Sequence, residues 1–283
     1  MHFGYGIWKE IANRLTIDLP PSSLRNYQKY NQVAQSLSRD IIPKDKPFIF
    51  LRFSNGDQKL QDKLHKEGYT LFPNPEFSSF IRDRESYLSE VDKLSYYPLK
   101  RVYLPHFTND LPTIINTHFG DADVVLKVGN LHASEGKYLI TANRQIPYFK
   151  YDMKKQPITI EEFVPNARSI RIGLIGDALN YENYFITEHI NSKTWLKNNA
   201  PEEENTYSYN ERYKLGIEPI DDLIDEVRSI ALLYNANLLG VDWVVSPEKA
   251  GLLELNDMIG LPEGDTAFNL FYKHILSLYT EAT

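Results

Sequence analysis

Cysteine is absent from the 283 residues of this chain. Its absence excludes disulfide bonds, thiolate metal sites and cysteine nucleophiles, and it is compatible with a reducing compartment, so we expect a cytoplasmic protein. Long apolar runs are absent too, and we therefore expect no membrane span. Residues 1–10 lack a basic stretch followed by an apolar run, so we expect no signal peptide.

Basic residues are fewer than acidic residues in this chain. Lysine and arginine number 31 against 38 aspartate and glutamate residues, which gives a formal net charge of −7. This balance argues against a nucleic-acid partner or an anionic-membrane surface, although local basic groups can still hold a phosphate. The length allows a large core divided into two or three lobes.

The strongest local signal is a pair of strands near the end of the chain. Residues 240–245 and 251–256 read as two strands joined by a polar turn. Asp242 lies in the first strand, and Glu254 and Asn256 lie two residues apart in the second, so their side chains share one face. Such a cluster of hard oxygen ligands suits Mg²⁺. The pattern also fits three polar residues on the solvent-exposed face of a hairpin.

A lysine-bearing strand and a loop of small residues lie upstream. Residues 123–128 form an apolar run that contains Lys127, and residues 129–137 are rich in glycine and small side chains. A loop of this kind can bring backbone N–H groups up to phosphates, although it is not a Walker loop. Alone, Lys127 fits equally well a lysine on the exposed face of a strand.

The remaining pattern predicts a mixture of helices and strands. A β-α-β unit with a small parallel sheet is predicted at residues 47–72. Periodicity predicts four further helices, at 85–94, 111–118, 220–234 and 267–279. It predicts four further strands, at 101–104, 158–164, 169–175 and 178–187, the last two joined by a tight turn. Residues 195–209, with their acidic run, are predicted to form a mobile surface loop.

Taken in order, several of these pieces resemble the ATP-grasp superfamily. They are Lys127 with its small-residue loop, the segment 161–164, the segment 169–171 and the two strands of the hairpin. Twelve residues separate Asp242 from Glu254, as in the ribosomal-protein glutamate ligases and the glutathione-synthetase-like branch. The loop that follows Lys127 is similar to that of synapsin. The resemblance covers about residues 75–283.

The resemblance implies an α+β protein in which two α+β lobes sandwich a nucleotide. A reduced α/β lobe would precede them. The implied domains are an N-terminal lobe at 1–80, a small ATP-grasp lobe at 81–165 and a large ATP-grasp lobe at 166–283.

The resemblance also implies roles for individual residues. ATP would be bound by eight residues that contact its phosphates or line its adenine: Arg84, Lys127, Ser134, Glu161, Glu162, Phe163, Val164 and Asn198. Mg²⁺ would be held by Asp242, Glu254 and Asn256, and Arg171 would be catalytic, gripping the carboxylate or the acyl-phosphate oxygens. The chain departs from the family at Ser169, where an aspartate is common, and at Arg84, where a lysine is common.

The implied function is an ATP- and Mg²⁺-dependent carboxylate–amine ligase that acts through an acyl phosphate. Its partners would be small-molecule or peptide carboxylates and amines. Whether the chain forms a homo-oligomer stays an open question at this point. Two alternatives stay open as well. One is a synapsin-like regulatory or assembly protein that binds ATP with little turnover, and the other is an enzyme of the same fold that phosphorylates a hydroxyl.

Overall fold

The computed structural model describes most of the chain between residues 71 and 257. The described ranges are 71–129, 136–148, 155–191, 194–195 and 201–257, with isolated positions at 48–49, 65–66 and 270. The predicted helix at 267–279 and most of the helix of the predicted β-α-β unit at 47–72 lie outside them. In chain order the strands are β1 Phe48–Ile49, β2 Leu71–Phe72, β3 Arg101–Leu104, β4 Val124–Val128, β5 Lys137–Ile140, β6 Ile158–Glu162, β7 Arg168–Ile175, β8 Tyr184–Ile190, β9 Glu203–Ser208, β10 Leu238–Val245 and β11 Ala250–Asn256. The helices are α1 Pro75–Phe80, α2 Arg84–Leu94, α3 Leu111–Phe119 and α4 Ile220–Leu233.

The first two strands form a small parallel pair, as predicted. Phe48 lies opposite Leu71, and Ile49 lies opposite Phe72. The short helix α1 follows at once, and the sequence analysis did not predict it. Asn74 caps this helix by accepting a hydrogen bond from the Glu76 N–H, and a proline occupies its first turn, which is a favourable start for a helix.

The smaller of the two main sheets is antiparallel, with strand order β3-β6-β4-β5. Alternation along β4 divides its side chains between two faces. Val124, Leu126 and Val128 pack with Leu111 and Ile115 of α3 in a buried core. The residues between them, including Lys127, therefore face the opposite side of this sheet, and that side lines the cleft described below.

The larger sheet is also antiparallel, with strand order β11-β10-β7-β8-β9. Ile170, Ile172 and Leu174 of β7 pack in the main core with helix α4, whose apolar face includes Leu223 and Val227. The alternate residues of β7 therefore face away from the core. The polar positions that the sequence analysis singled out lie on this second face.

Two sequence predictions are wrong in this sheet. The strand predicted at 178–187 begins only at Tyr184, because Asn180 caps a 3-10 helix at Tyr181–Asn183 and replaces the predicted tight turn with a longer connection. The surface loop predicted at 195–209 contains β9, which pairs along its length with β8. An acidic strand at a sheet edge has no apolar alternation, so its sequence looks like that of a loop.

A second 3-10 helix, Tyr209–Leu215, connects β9 to the segment before α4. Across the described ranges, no helix combines the length and the apolar character needed to cross a bilayer.

Candidate nucleotide-binding cleft

A cavity of about 270 Å³ lies between the two main sheets. The small sheet contributes its β4 and β6 side, and the large sheet contributes β7, β10 and β11. Its lining includes six of the predicted site residues: Lys127, Glu161, Glu162, Phe163, Val164 and Glu254. The fold therefore brings together residues that lie up to about 130 positions apart in the sequence.

Lys127 is a buried cation at the base of this cleft. Its side chain is 3% exposed, and its Nζ lies 2.6 Å from Oε1 of Glu161 on the neighbouring strand β6. Burial lowers the pKa of Lys127 to about 8, although the charge of Glu161 opposes this shift. A lysine held in this way presents a defined positive charge to the cleft, and it does not lie on an exposed face.

Glu161 is shared between two cations. Its second carboxylate oxygen, Oε2, lies 3.2 Å from Nε of Arg101 on β3. Burial by itself raises the pKa of Glu161, but Lys127 and Arg101 together hold this pKa below its usual range. Both oxygens therefore already have basic partners. Arg101 was not among the predicted site residues, although, like Lys127, it is a charged residue in a predicted strand.

The segment after β6 forms an apolar wall of the cleft. The ring of Phe163 meets the indole of Trp195 edge to face, with centroids 6.1 Å apart. Val164 packs in a small core nearby. Such a wall suits a planar base. The N–H groups of Glu162 and Phe163 already donate to backbone carbonyls, and the Glu162 carboxylate accepts from Lys249 at 2.6 Å.

The three predicted metal ligands lie together on the cleft face of the hairpin. Asp242 of β10 is directly opposite Glu254 of β11, and the Asn256 amide donates to Oδ2 of Asp242 at 3.3 Å. The ladder is irregular after Asp242, where Leu253 is an extra residue on β11. Within the described part of the chain, no group of three or more His, Cys, Asp or Glu side chains is arranged to hold a metal ion.

The donor chemistry of this trio fits Mg²⁺ when phosphates and waters complete the shell. All three side chains offer oxygen. Glu254 is partly buried, and loss of solvent alone raises its pKa, but Lys137, Lys127 and Arg84 outweigh this effect and hold that pKa well below its usual range. The carboxylate is therefore ionised at neutral pH, as a metal ligand must be.

Two basic residues flank Glu254. Nη2 of Arg84, at the start of α2, lies 3.6 Å from Oε2 of Glu254, and Nζ of Lys137 lies 3.7 Å from the same oxygen. Arg84 also donates from Nη1 to the carbonyl oxygen of Gly129 at 3.1 Å. It thus links the beginning of the predicted phosphate loop to the hairpin. Ser134 in that loop and Asn198 lie outside the described residues.

Arg171 makes a two-pronged ion pair with Asp242. Its Nε and Nη2 lie 2.6 and 2.9 Å from the two carboxylate oxygens. Burial alone would lower the pKa of Arg171, but Asp242 raises it, so the charge is permanent. The guanidinium therefore orients a predicted metal ligand, and its Nη1 makes no hydrogen bond to the described residues.

A histidine and a glutamate extend the polar face of the large sheet. The ladder places His189 opposite Ser169. His189 is buried, and its Nδ1 lies 3.0 Å from Oε1 of Glu204 on β9. This hydrogen bond lowers the pKa of Glu204. Glu204 itself lies on the exposed edge strand β9, so the predicted solvated acidic run reaches a buried histidine at this one position.

No protein-family model matches the sequence, and no curated protein matches it. Solved structures do match. D-alanine–D-alanine ligase from Bacillus anthracis superposes with a TM-score of 0.61 at 13% identity, covering 98% of this chain and 92% of that one. D-alanyl-alanine synthetase A from Vibrio cholerae gives 0.57 at 15% identity, covering 81% and 74%. The ATP-grasp ligase PsnB, complexed with a phosphomimetic variant of its minimal precursor, Mg and ADP, gives 0.53 at 14% identity, covering 93% and 75%.

At such identities the likeness establishes the fold. The chain has the ATP-grasp fold, an α+β architecture with two antiparallel sheets. The particular branch of the superfamily and the domain boundaries stay predictions.

Proposed function

We propose that the protein is an ATP- and Mg²⁺-dependent ligase that joins a carboxylate to an amine through an acyl phosphate. The observation that carries the proposal is the cleft itself. A buried lysine on one sheet and an ionised carboxylate on the other line a single cavity, beside an apolar wall suited to a base. Two of the similar structures, PsnB and D-alanine–D-alanine ligase, carry the name ligase, which supports the same reaction class.

The residues that would hold the nucleotide fall into two groups, one that contacts the phosphates and one that contacts the base. Lys127 would contact the phosphates as a compact point charge, and Phe163 and Val164 would pack against the adenine. Mg²⁺ held at this site would supply positive charge to offset the negative charge of the phosphates during phosphoryl transfer. Asp242 and Glu254 would supply its charged ligands.

Arg171 would act at the acyl end of the reaction. It already fixes Asp242 through Nε and Nη2, so Nη1 is the donor that would reach the substrate carboxylate or the acyl-phosphate oxygens. Because the guanidinium is held in place by Asp242, it needs no reorganisation as negative charge develops.

The alternative is a synapsin-like protein that binds ATP and turns it over little. One observation favours it: two of the nitrogens of Arg171 are already paired with Asp242, which leaves less of the guanidinium for a substrate. In that case the same cleft would bind Mg-ATP and transmit closure to a partner surface.

The discriminating experiment measures binding and turnover on one preparation. Mg-ATP is titrated by calorimetry, and ADP release is followed with a panel of amino acids, short peptides and amines, with hydroxylamine as a general acceptor. A ligase binds Mg-ATP and releases ADP only when an acid is supplied. Binding without acid-dependent ADP release across the panel would favour the alternative, and an absence of binding would contradict both.

A further inference from the structure

We propose that Arg101 is a positioning residue of the nucleotide site, which holds Glu161 against Lys127 and at the same time holds strand β11 beside Glu254. This inference rests on the proposed Mg-ATP site. It goes beyond that site by naming a residue that lies behind the cleft and controls its geometry.

Arg101 joins three elements through three nitrogens. Its side chain is 1% exposed. Nε contacts Glu161 of β6, Nη1 contacts Asp92 of α2, and Nη2 donates to the carbonyl oxygen of Leu252 in β11. A planar guanidinium can satisfy all three directions at once, whereas an ammonium on a flexible stem cannot.

One arm of this arrangement determines where the charge of Lys127 lies. Glu161 gives one oxygen to Lys127 and the other to Arg101, so the carboxylate is fixed from both sides. The buried cluster is also balanced, with two cations and the two carboxylates of Glu161 and Asp92. The position of the Lys127 ammonium therefore depends on a guanidinium that does not itself line the cavity.

The other arm stabilises the irregular part of the hairpin. Leu252 lies opposite Trp243 and Glu254 lies opposite Asp242, so the extra residue between them interrupts the regular ladder. A bulge leaves the strand less constrained by its partner. The bond from Arg101 to the Leu252 carbonyl, with the Leu252 N–H donating to the carbonyl of Tyr97, holds this segment from its outer side. Arg101 thus sets the spacing between the predicted phosphate contact and a predicted metal ligand.

The first test is Arg101→Lys, which keeps the positive charge but loses the three-way contact. We expect the melting temperature to stay within a few degrees of wild type while the Kd for Mg-ATP, measured by calorimetry, rises roughly tenfold or more. The matched control is Arg168→Lys. Arg168 also contacts a carboxylate, Glu188, and a backbone carbonyl, that of Leu215, but it lies on the core-facing side of β7. The Kd of the Arg168→Lys variant for Mg-ATP should equal that of wild type.

The second readout is the pH dependence of Mg-ATP affinity, which a general loss of structure would not shift. Affinity should fall above about pH 8 as Lys127 loses its proton. The charges that act on this ammonium are Glu161, Lys137, Glu254 and Arg101. Removing one positive neighbour favours the protonated lysine, so Arg101→Gln should move the fall to higher pH. Lys127→Arg should remove the fall, because arginine does not titrate in this range.

If Arg101→Lys does not fold, Asp92→Asn gives the deciding measurement. Asparagine keeps the shape of the Asp92 side chain but removes the charge that holds Nη1 of Arg101. Because Asp92 does not line the cleft, it can act on the nucleotide only through Arg101. We therefore expect Mg-ATP affinity to weaken roughly threefold. An unchanged Kd in the folded variants, with wild-type pH profiles, would overturn the role of Arg101 alone. A wild-type protein that does not bind Mg-ATP would overturn the proposed function as well.

Discussion

At the scale of single residues, the cleft contains ionised side chains whose charges are balanced by neighbours of opposite sign. Glu254 is surrounded by Lys137, Lys127 and Arg84, and these cations keep it ionised although it is partly buried. When a divalent cation and phosphates enter, they offer new partners to both signs of charge. The charges that the proposed Mg-ATP site needs are thus present before any ligand binds, and each residue can be tested separately.

Glu254→Gln should abolish metal-dependent turnover with little loss of fold. The substitution keeps the shape of the side chain but removes a charge that Mg²⁺ requires. Turnover is followed as ADP release against Mg²⁺ concentration. Glu188→Gln, at a carboxylate of β8 that is paired with Arg168, is the matched control and should behave as wild type. Wild-type ATP use by the Glu254 variant would show that Glu254 is not a ligand.

Arg171→Lys should separate chemistry from nucleotide binding. Lysine cannot reproduce the two-pronged contact with Asp242 or offer a further planar donor. We expect product formation to fall roughly 100-fold or more at saturating Mg²⁺, while the affinity for Mg-ATP changes little.

The outcomes for Arg171 have different meanings. If additional Mg²⁺ restores wild-type turnover, Arg171 acts only by orienting Asp242. Equal losses of affinity and turnover would mean that Arg171 holds the nucleotide, and its assignment to the acyl end would be wrong. Arg168→Lys, on the same strand, controls for the loss of an arginine ion pair.

At the scale of elements, the large sheet depends on close contact between β7 and β8. Gly173 lies opposite Phe185 in the ladder, and a Cβ at this position would overlap the Phe185 ring, which is fully buried. The glycine therefore makes room for an aromatic ring on the same face as the polar residues of the site.

Gly173→Ala should destabilise the protein by about 1–3 kcal/mol, because the ring must move in a packed interior. The measurement is the midpoint of chemical denaturation. The double variant Gly173→Ala with Phe185→Leu should recover part of the loss, since the smaller side chain relieves the overlap. A single variant as stable as wild type would show that the sheet accommodates the methyl group freely.

At the scale of the whole molecule, both sheets contribute to one cleft, so a ligand that bridges them should stabilise the native state. Two contacts already connect the sheets: a hydrogen bond from Arg101 to the backbone carbonyl of Leu252, and an ion pair between Lys137 and Glu254. A nucleotide with its metal would add contacts to both sides.

Mg-ATP should raise the melting temperature progressively with concentration. By mass action, a ligand at 100 times its Kd contributes about 2.7 kcal/mol to the free energy of unfolding. Thermal unfolding is recorded across a Mg-ATP series, with Mg²⁺ alone and ATP with a chelator as controls. A melting curve that does not move at millimolar Mg-ATP would contradict the assignment of the cleft.

Local pattern in the sequence determined most of the secondary structure. The strand predicted at 101–104 is β3, and the helix predicted at 220–234 is α4 to within one residue. The hairpin that carries Asp242 and Glu254 also follows from two short strand-like runs joined by a polar turn. These elements are readable because apolar spacing along a short segment reports which of its faces is buried.

Only the tertiary structure decided which side chains and which strands pair with each other. Arg101 and Glu161 lie 60 residues apart in sequence, and Arg171 and Asp242 lie 71 apart. Likewise, β9 is recognisable as a strand only once β8 lies beside it. Periodicity indicates that a strand or helix has a buried face, but it does not indicate which other element packs against that face. Strand order and side-chain pairing depend on contacts between segments that are distant in the chain.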